Sequence, residues 1–370
     1  MNNISVYKKL IKIDWLLVLL LVTLVSIGCL ALYSAADADW NPWAVRHFQR
    51  SIIGFFIAVF IALIDIKLIY RFAWIPLIIS IFMLLLLYFV SDQSVNRWLD
   101  LGFIKLQPSE LAKISLILAL ARYFHDIQIR DYGKISYSIV AIIISLPVVI
   151  LTLIQPDLGT AVMQILLIGS LVFLAGLRVW FLILFFGIFT ASLPFLWLNL
   201  HDYQKQRILT HLDPSTDALG AGYHINQSKI ALGSGGVFGK GFLQGSQSHL
   251  DFLPEKQTDF IFTMIGEEFG LAGSLFVLMI FVLIMLYTYM ISFLQSSQFG
   301  RLVCSGIVFM LFSYVFVNIG MVSGMLPVVG APLPLISYGG SSMLTIFISF
   351  GIVLSASIHR FDKLETRERY

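Results

Sequence analysis

Ten stretches of this chain are apolar almost throughout: residues 16–33, 52–64, 72–90, 111–121, 139–154, 161–177, 179–198, 269–294, 302–321 and 343–358. A helix needs roughly 20 residues to cross a bilayer. In hydrocarbon every backbone N–H and C=O must find a partner within the protein, which leaves helices or closed barrels. Runs of this length point to helices. The chain is 58% hydrophobic and 12% charged, against about 45–50% and about 25% in soluble domains. The prediction is an all-α, polytopic integral membrane protein with about ten transmembrane helices, forming a single domain over residues 1–370. Eight spans with re-entrant pieces is the alternative count. Two runs are short. Arg50 and Lys67 would complete the second by snorkelling to the interfaces. The fourth begins with Pro108-Ser-Glu-Leu-Ala-Lys113, so its first turn is expected to face the bundle interior.

Orientation follows from Lys and Arg in the short loops. With the N-terminus cytoplasmic, 14 of the 24 basic residues fall on the inner side, among them Lys8, Lys9, Lys12, Arg122, Lys134 and Arg301. The short outer loops hold only Arg46, Arg50, Arg97 and Lys105. Both termini are therefore expected in the cytoplasm. The first run exceeds a signal-peptide core of about 7–15 residues, so it reads as an uncleaved helix rather than a secretory signal. The basic rim suits anionic lipid headgroups and implies no nucleic-acid partner. Cys29 and Cys304 fall toward opposite faces, cannot bridge, and read as small apolar fillers.

Between the seventh and eighth runs lies a long extracytoplasmic loop, residues 199–259. A connection of this length is functional or disordered. Apolar residues recur along it (Tyr223, Ile225, Phe238, Phe242, Leu250), which favours a packed cap with amphipathic helices. No internal repeat of the kind many transporters carry is visible.

Several polar motifs interrupt the apolar background, each with a structural alternative. Glu110 and Lys113 lie three apart on one helix face and would neutralise each other; Ser109 is the expected N-cap. Charges placed inside a membrane nonetheless default to function. In Gln155-Pro-Asp-Leu-Gly-Thr160, Asp157 is equally an N-cap offsetting the helix dipole and a site residue. The stretch Gly233-Ser-Gly-Gly-Val-Phe-Gly-Lys-Gly241 fails the phosphate-loop spacing; its backbone could still hold a pyrophosphate, and turn chemistry is the commoner explanation. His201, His211, His224 and His249 form no tight ligand pair, so a zinc site is not expected. A hard cation, Mg²⁺ or Mn²⁺, held by one or two carboxylates and a substrate pyrophosphate, is permitted; Asp259, Glu110 and Asp157 are its candidate neighbours. Asp259 stands where the long loop re-enters the membrane. A helix starting near Thr258 would put Asp259 and Glu267 on one face, with Thr258 as cap. Pro and Gly in 333–342 break helix, which is tolerated only where backbone lines a cavity or is buried.

Taken in order, Arg97-Trp-Leu-Asp-Leu-Gly102, Gln107-Pro-Ser-Glu110 with Lys113, Gln155-Pro-Asp-Leu-Gly-Thr160, His201-Asp-Tyr-Gln, Gly222-Tyr-His, Phe252-Leu-Pro-Glu with Thr258-Asp-Phe, and Leu335-Ile-Ser-Tyr-Gly-Gly340 resemble the SEDS family (shape, elongation, division and sporulation proteins) across nearly the whole chain. Asn318 to Gly330 looks like the elongation branch. The resemblance implies a ten-helix peptidoglycan glycosyltransferase of the bacterial cytoplasmic membrane. It would polymerise lipid II onto a nascent glycan strand beside a class B penicillin-binding protein and other elongation-complex proteins. It also implies that Asp259 matches the family's essential aspartate. On that basis Asp259 is the expected general base at the outer face, with Lys113, Arg97 and Lys240, in that order, as cations for the pyrophosphate. Glu110 and Asp157 would position Lys113, a metal or the acceptor sugar. The rival classes are a flippase of lipid-linked precursors and a noncatalytic scaffold for the partner synthase.

Overall fold

The computed structural model describes residues 6–90, 97–100, 102, 105–127, 133–176, 202–213, 220–246, 255–362 and 364, with isolated positions from 180 to 198. The seventh predicted span, His201, His249 and residues 252–254 lie outside the described residues, isolated positions of that span apart. The described helices are α1 (Val6–Ile11), α2 (Trp15–Ala35), α3 (Trp43–Leu63), α4 (Ile66–Arg71), α5 (Trp74–Val90), α6 (Pro108–His125), α7 (Ile135–Ile154), α8 (Leu158–Leu174), α9 (Asp202–Leu212), α10 (Ala221–Ser234), α11 (Ile261–Phe293), α12 (Gln298–Val322) and α13 (Gly340–Ile358). A two-residue hairpin, β1 (Leu99–Asp100) with β2 (Lys105–Leu106), precedes α6.

Six of these helices, α2, α3, α7, α11, α12 and α13, are long and apolar enough to span a membrane; α5 and α8 are shorter apolar helices. The protein is thus a multi-pass membrane protein. Helix α6 sits inside the bundle against α5, α12 and α8 and is buried along most of its length. Its interior position lets it carry Glu110 and Lys113, 4% and 1% exposed. Its N-cap is Gln107, with Pro108 opening the helix, so Ser109 lies within the first turn and does not cap it. Proline suits that place because its missing N–H would be unpaired anyway.

Helix α3 begins nine residues before its apolar run. Buried His47 and Ser51 and the cation Arg50, which stacks over the Tyr338 ring at 4.8 Å, occupy its first two turns. Further along, α3 meets α13 closely because residues without bulk face each other: Gly54 lies under the Phe347 ring and Gly351 rests on the backbone of Ala58. Such small-residue contacts are how helices pack in lipid, where apolar burial alone gives no drive.

Helix α11 is interrupted at Gly270, whose φ is +65°. In an unbroken helix the N–H groups of Leu271 and Ala272 would bond to the carbonyls of Glu267 and Glu268. Here Leu271 and Ala272 donate to Gly236 and Val237 at 2.9 and 3.0 Å, while Lys240 and Gly241 donate to Glu267 and Glu268 at 3.0 Å each. The glycine-rich stretch is therefore spliced into the helix and exchanges four bonds with it. A Cβ at Gly235, Gly239 or Gly270 would collide with backbone of the opposing segment, so glycine is needed for close approach. This accounts for a sequence that otherwise reads as flexible turn.

The segment from α1 to the start of α2 and the end of α13 meet at one end of the bundle. Lys9 Nζ donates to Leu63 O at 2.8 Å, Ser355 Oγ to Ile64 O at 2.6 Å, and Ser357 bonds Asp14. The 19 residues of α13 separate this end from the Asp259 end by about 28 Å at 1.5 Å per residue.

Candidate active site

Asp259 lies in a turn over residues 255–260, ahead of α11, whose N-cap is Phe260. The expected helix start at Thr258 is not found; the Thr258 hydroxyl bonds Glu255 instead. The turn is held by the irregular Pro/Gly segment. Tyr338 N donates to Gln257 O at 2.8 Å and Ser337 Oγ to Thr258 O at 2.6 Å. Asn318 Nδ2 donates to both Asp259 O (3.0 Å) and Ala331 O (2.7 Å). Non-helical backbone at this depth thus satisfies its polar groups on itself and on side chains.

The Asp259 carboxylate rests against Gly330, where a Cβ would stand 3.3 Å from Oδ2 and where φ is +81°. Its carboxyl is half-buried and its pKa is raised to about 6, first by desolvation and then by the Glu255 charge, against an opposing pull from Arg207. Desolvation penalises the charged form, which makes the carboxylate a stronger base than a free aspartate.

Gly330 and Ala331 also border a cavity of about 100 Å³ whose other walls include Arg97, Glu110, Lys113, Asp157 and Tyr314. Lys113 Nζ lies 2.7 Å from Glu110 Oε1. It also donates to the Tyr314 hydroxyl, which donates in turn to Glu110 Oε2, closing a buried three-residue ring. Asp157 caps α8 by accepting from Thr160 N, and accepts from Gln107 Nε2 at 3.0 Å. Arg97 stands 3.7 Å from Asp157 and is a quarter exposed. Asp157 is thus the N-cap of α8 and also lines the cavity.

Four of the predicted residues, Arg97, Glu110, Lys113 and Asp157, thus share one cavity, and Asp259 touches its Gly330 wall without lining it. Lys240 stands apart: its ammonium is 2.7 Å from Glu267 Oε1 and 2.8 Å from Ser246 Oγ, within the splice. Glu267 is accordingly engaged there rather than paired with Asp259. Among the described residues, Asp259, Glu110 and Asp157 do not converge as a three-carboxylate cluster. Their oxygens bear this out, because Glu110 and Asp157 spend theirs on protein donors. Tyr314 was not anticipated from sequence. The available signal was its position four before Asn318, which puts both polar groups on one face of an apolar helix.

The family described as cell cycle protein (FtsW, RodA, SpoVE) matches residues 8–362. The chain belongs to this family, the SEDS proteins. It is 42% identical over 359 residues to the peptidoglycan glycosyltransferase MrdB of Escherichia coli (strain K12), covering 95% of each chain. It is 32% identical over 420 residues to the peptidoglycan glycosyltransferase RodA of Treponema pallidum (strain Nichols), covering 92% of this chain and 96% of that one. Among solved structures, the fold resembles a chain from a peptidoglycan synthase complex in which polymerisation and crosslinking are coordinated (TM-score 0.80, 29% identity, covering 95% and 99%). It also resembles the crystal structure of the rod shape determining protein RodA of Thermus thermophilus (TM-score 0.71, 27% identity, 95% and 98%). The SEDS membership agrees with the multi-pass bundle described above.

Proposed function

We propose that this chain is a peptidoglycan glycosyltransferase that polymerises lipid II into glycan strands during cell elongation, with Asp259 as general base. The observation that carries the reading is the half-buried Asp259 carboxylate, with its raised pKa, against Gly330, a wall residue of the cavity that gathers Arg97 and Lys113. Asp259 takes the proton from the GlcNAc 4-hydroxyl of lipid II. That oxygen forms a bond to the anomeric carbon of the terminal MurNAc, the bond from this carbon to the pyrophosphate breaks, and its electron pair leaves on undecaprenyl pyrophosphate. One displacement inverts the α-linked donor to a β-1,4 product. Arg97, partly exposed and held by Asp157 and the Pro156 carbonyl, is the first cation available to the leaving charge. Lys113 follows when its bonds to Glu110 and Tyr314 yield. Fixed cations aimed at developing charge are worth most where water is scarce. No step is assigned to a metal, since Glu110 and Asp157 are engaged; Mg²⁺ or Mn²⁺ would arrive on the pyrophosphate.

The proposal includes ten spans with the cap between the seventh and eighth, both termini cytoplasmic and the site on the outer face. A class B penicillin-binding protein and other elongation-complex proteins are the proposed partners. Purified chain with its partner and lipid II should yield glycan strands, and Asp259→Asn should yield none. Equal polymer from the Asn chain would sink the base assignment; lipid II translocation in liposomes without polymer would favour a flippase.

A further inference from the structure

The end of the bundle where α13 finishes holds a side-chain cluster that takes no part in the reaction above. Asp65 opens α4, its carboxylate accepting from Lys67 N at 2.9 Å. His359 ends α13 and Asp362 follows three residues later. One ligand atom from each of Asp65, His359 and Asp362 lies within 4.8 Å of the others.

His359 gives the cluster its direction. It is 4% exposed, and its Nδ1 lies 2.9 Å from the Ser355 carbonyl. A carbonyl only accepts, so Nδ1 carries the proton and Nε2 the lone pair. Buried Nε2 has no hydrogen-bond partner in the structure. A buried acceptor left without a donor is costly. An imidazole whose other N–H is fixed by a backbone carbonyl is the arrangement that orients metal-binding histidines. Lys67 Nζ is 4.0 Å from Asp362 Oδ2 with a side chain 55% exposed, so it can move aside.

We propose that His359 Nε2 and one oxygen each from Asp65 and Asp362 bind a first-row divalent cation such as Zn²⁺ or Mn²⁺. One imidazole and two carboxylates suit such ions. Bonds of about 2.0–2.2 Å require the ligand atoms to close by about 1–1.5 Å, a shift open to two half-buried aspartates. Three protein ligands leave a position for water. The ion would fasten the link between α3 and α4 to the end of α13, beside the bond from Ser355 to Ile64. This site lies at the other end of α13 from the segment that holds Asp259, and it stands or falls independently of the polymerase reading.

The test uses the full chain in detergent, stripped with chelator and titrated with Zn²⁺, Mn²⁺ and, as a spectroscopic probe, Co²⁺. We expect one equivalent bound per chain and an unfolding temperature that rises with metal concentration. Visible Co²⁺ absorption bands should disappear in His359→Gln. Asp362→Asn should weaken binding at least tenfold and decides the matter if the His359 variant does not fold. The proposal is overturned if the stripped wild-type chain takes up no metal. It is equally overturned if Asp362→Asn, with an unchanged metal-free unfolding temperature, binds with wild-type affinity.

Discussion

Burial and the neighbouring Glu255 charge raise the Asp259 pKa from 3.8 to about 6. The folded chain therefore holds this proton more tightly than the unfolded chain does. The stabilisation is complete below about pH 4 and is lost as pH rises through about 6. A base must be ionised, so activity runs the other way: kcat/KM with lipid II should climb with pH and level off above an apparent pKa near 6, not near 4. Asp259→Asn should cut the rate at least about 10²-fold while raising thermal stability at neutral pH, where the native carboxylate is charged and half-buried. A variant that lost both activity and stability would mark Asp259 as structural. For the Glu110, Lys113 and Tyr314 ring the expectation is different. Lys113→Met leaves buried Glu110 without its cation and should cost about 3–5 kcal/mol. Adding Glu110→Gln should recover much of that loss in thermal unfolding without restoring polymerisation. Recovery of both would reduce the ring to a packing device.

Among the elements, α11 and its splice show what sequence reading can and cannot supply. The apolar run from 269 was legible because hydropathy is local. The helix before it was legible too, with its expected start at Thr258 three residues early; the partners of Glu267 and Glu268 were not, because Lys240 and Ser34 lie far off in sequence. Gly235 and Gly239 read as turn residues, and Gly270 as part of an apolar run, for the same reason: their collision partners lie some thirty residues away. The first two turns of α3 escaped notice because Arg46, His47, Gln49 and Arg50 lower the mean hydropathy of a segment that is helical all the same. By contrast, Pro108 and the inward face of α6 were legible, since the cost of charge in lipid leaves few places for Glu110 and Lys113. Gly239→Ala should destabilise by at least about 2 kcal/mol, combining a left-handed backbone with a backbone collision. Gly169→Ala, in α8 with open space around it, should be neutral or stabilising by up to about 1 kcal/mol. Thermal unfolding of the two chains measures the contrast; equal losses would remove the splice from the account.

For the molecule as a whole, the distribution of Lys and Arg predicts which end faces the cytoplasm, and the background suits a direct check. Cys29 and Cys304 are both buried, so they should stay silent toward a membrane-impermeant thiol reagent. In intact spheroplasts Glu255→Cys should label and Lys12→Cys should label only after permeabilisation. The opposite pattern would invert the topology and remove Asp259 from the compartment where the glycan is built. The splice has a mechanical consequence at this scale. Lys240 and Gly241 are tied to Glu267 and Glu268, so the chain between them leaves and returns at a single knot, and Asp259 rides on that closed circuit. A pull that reaches the turn at 255–260 is met by Asn318, Ser337 and Tyr338, which pin the aspartate's backbone to the far half of the chain.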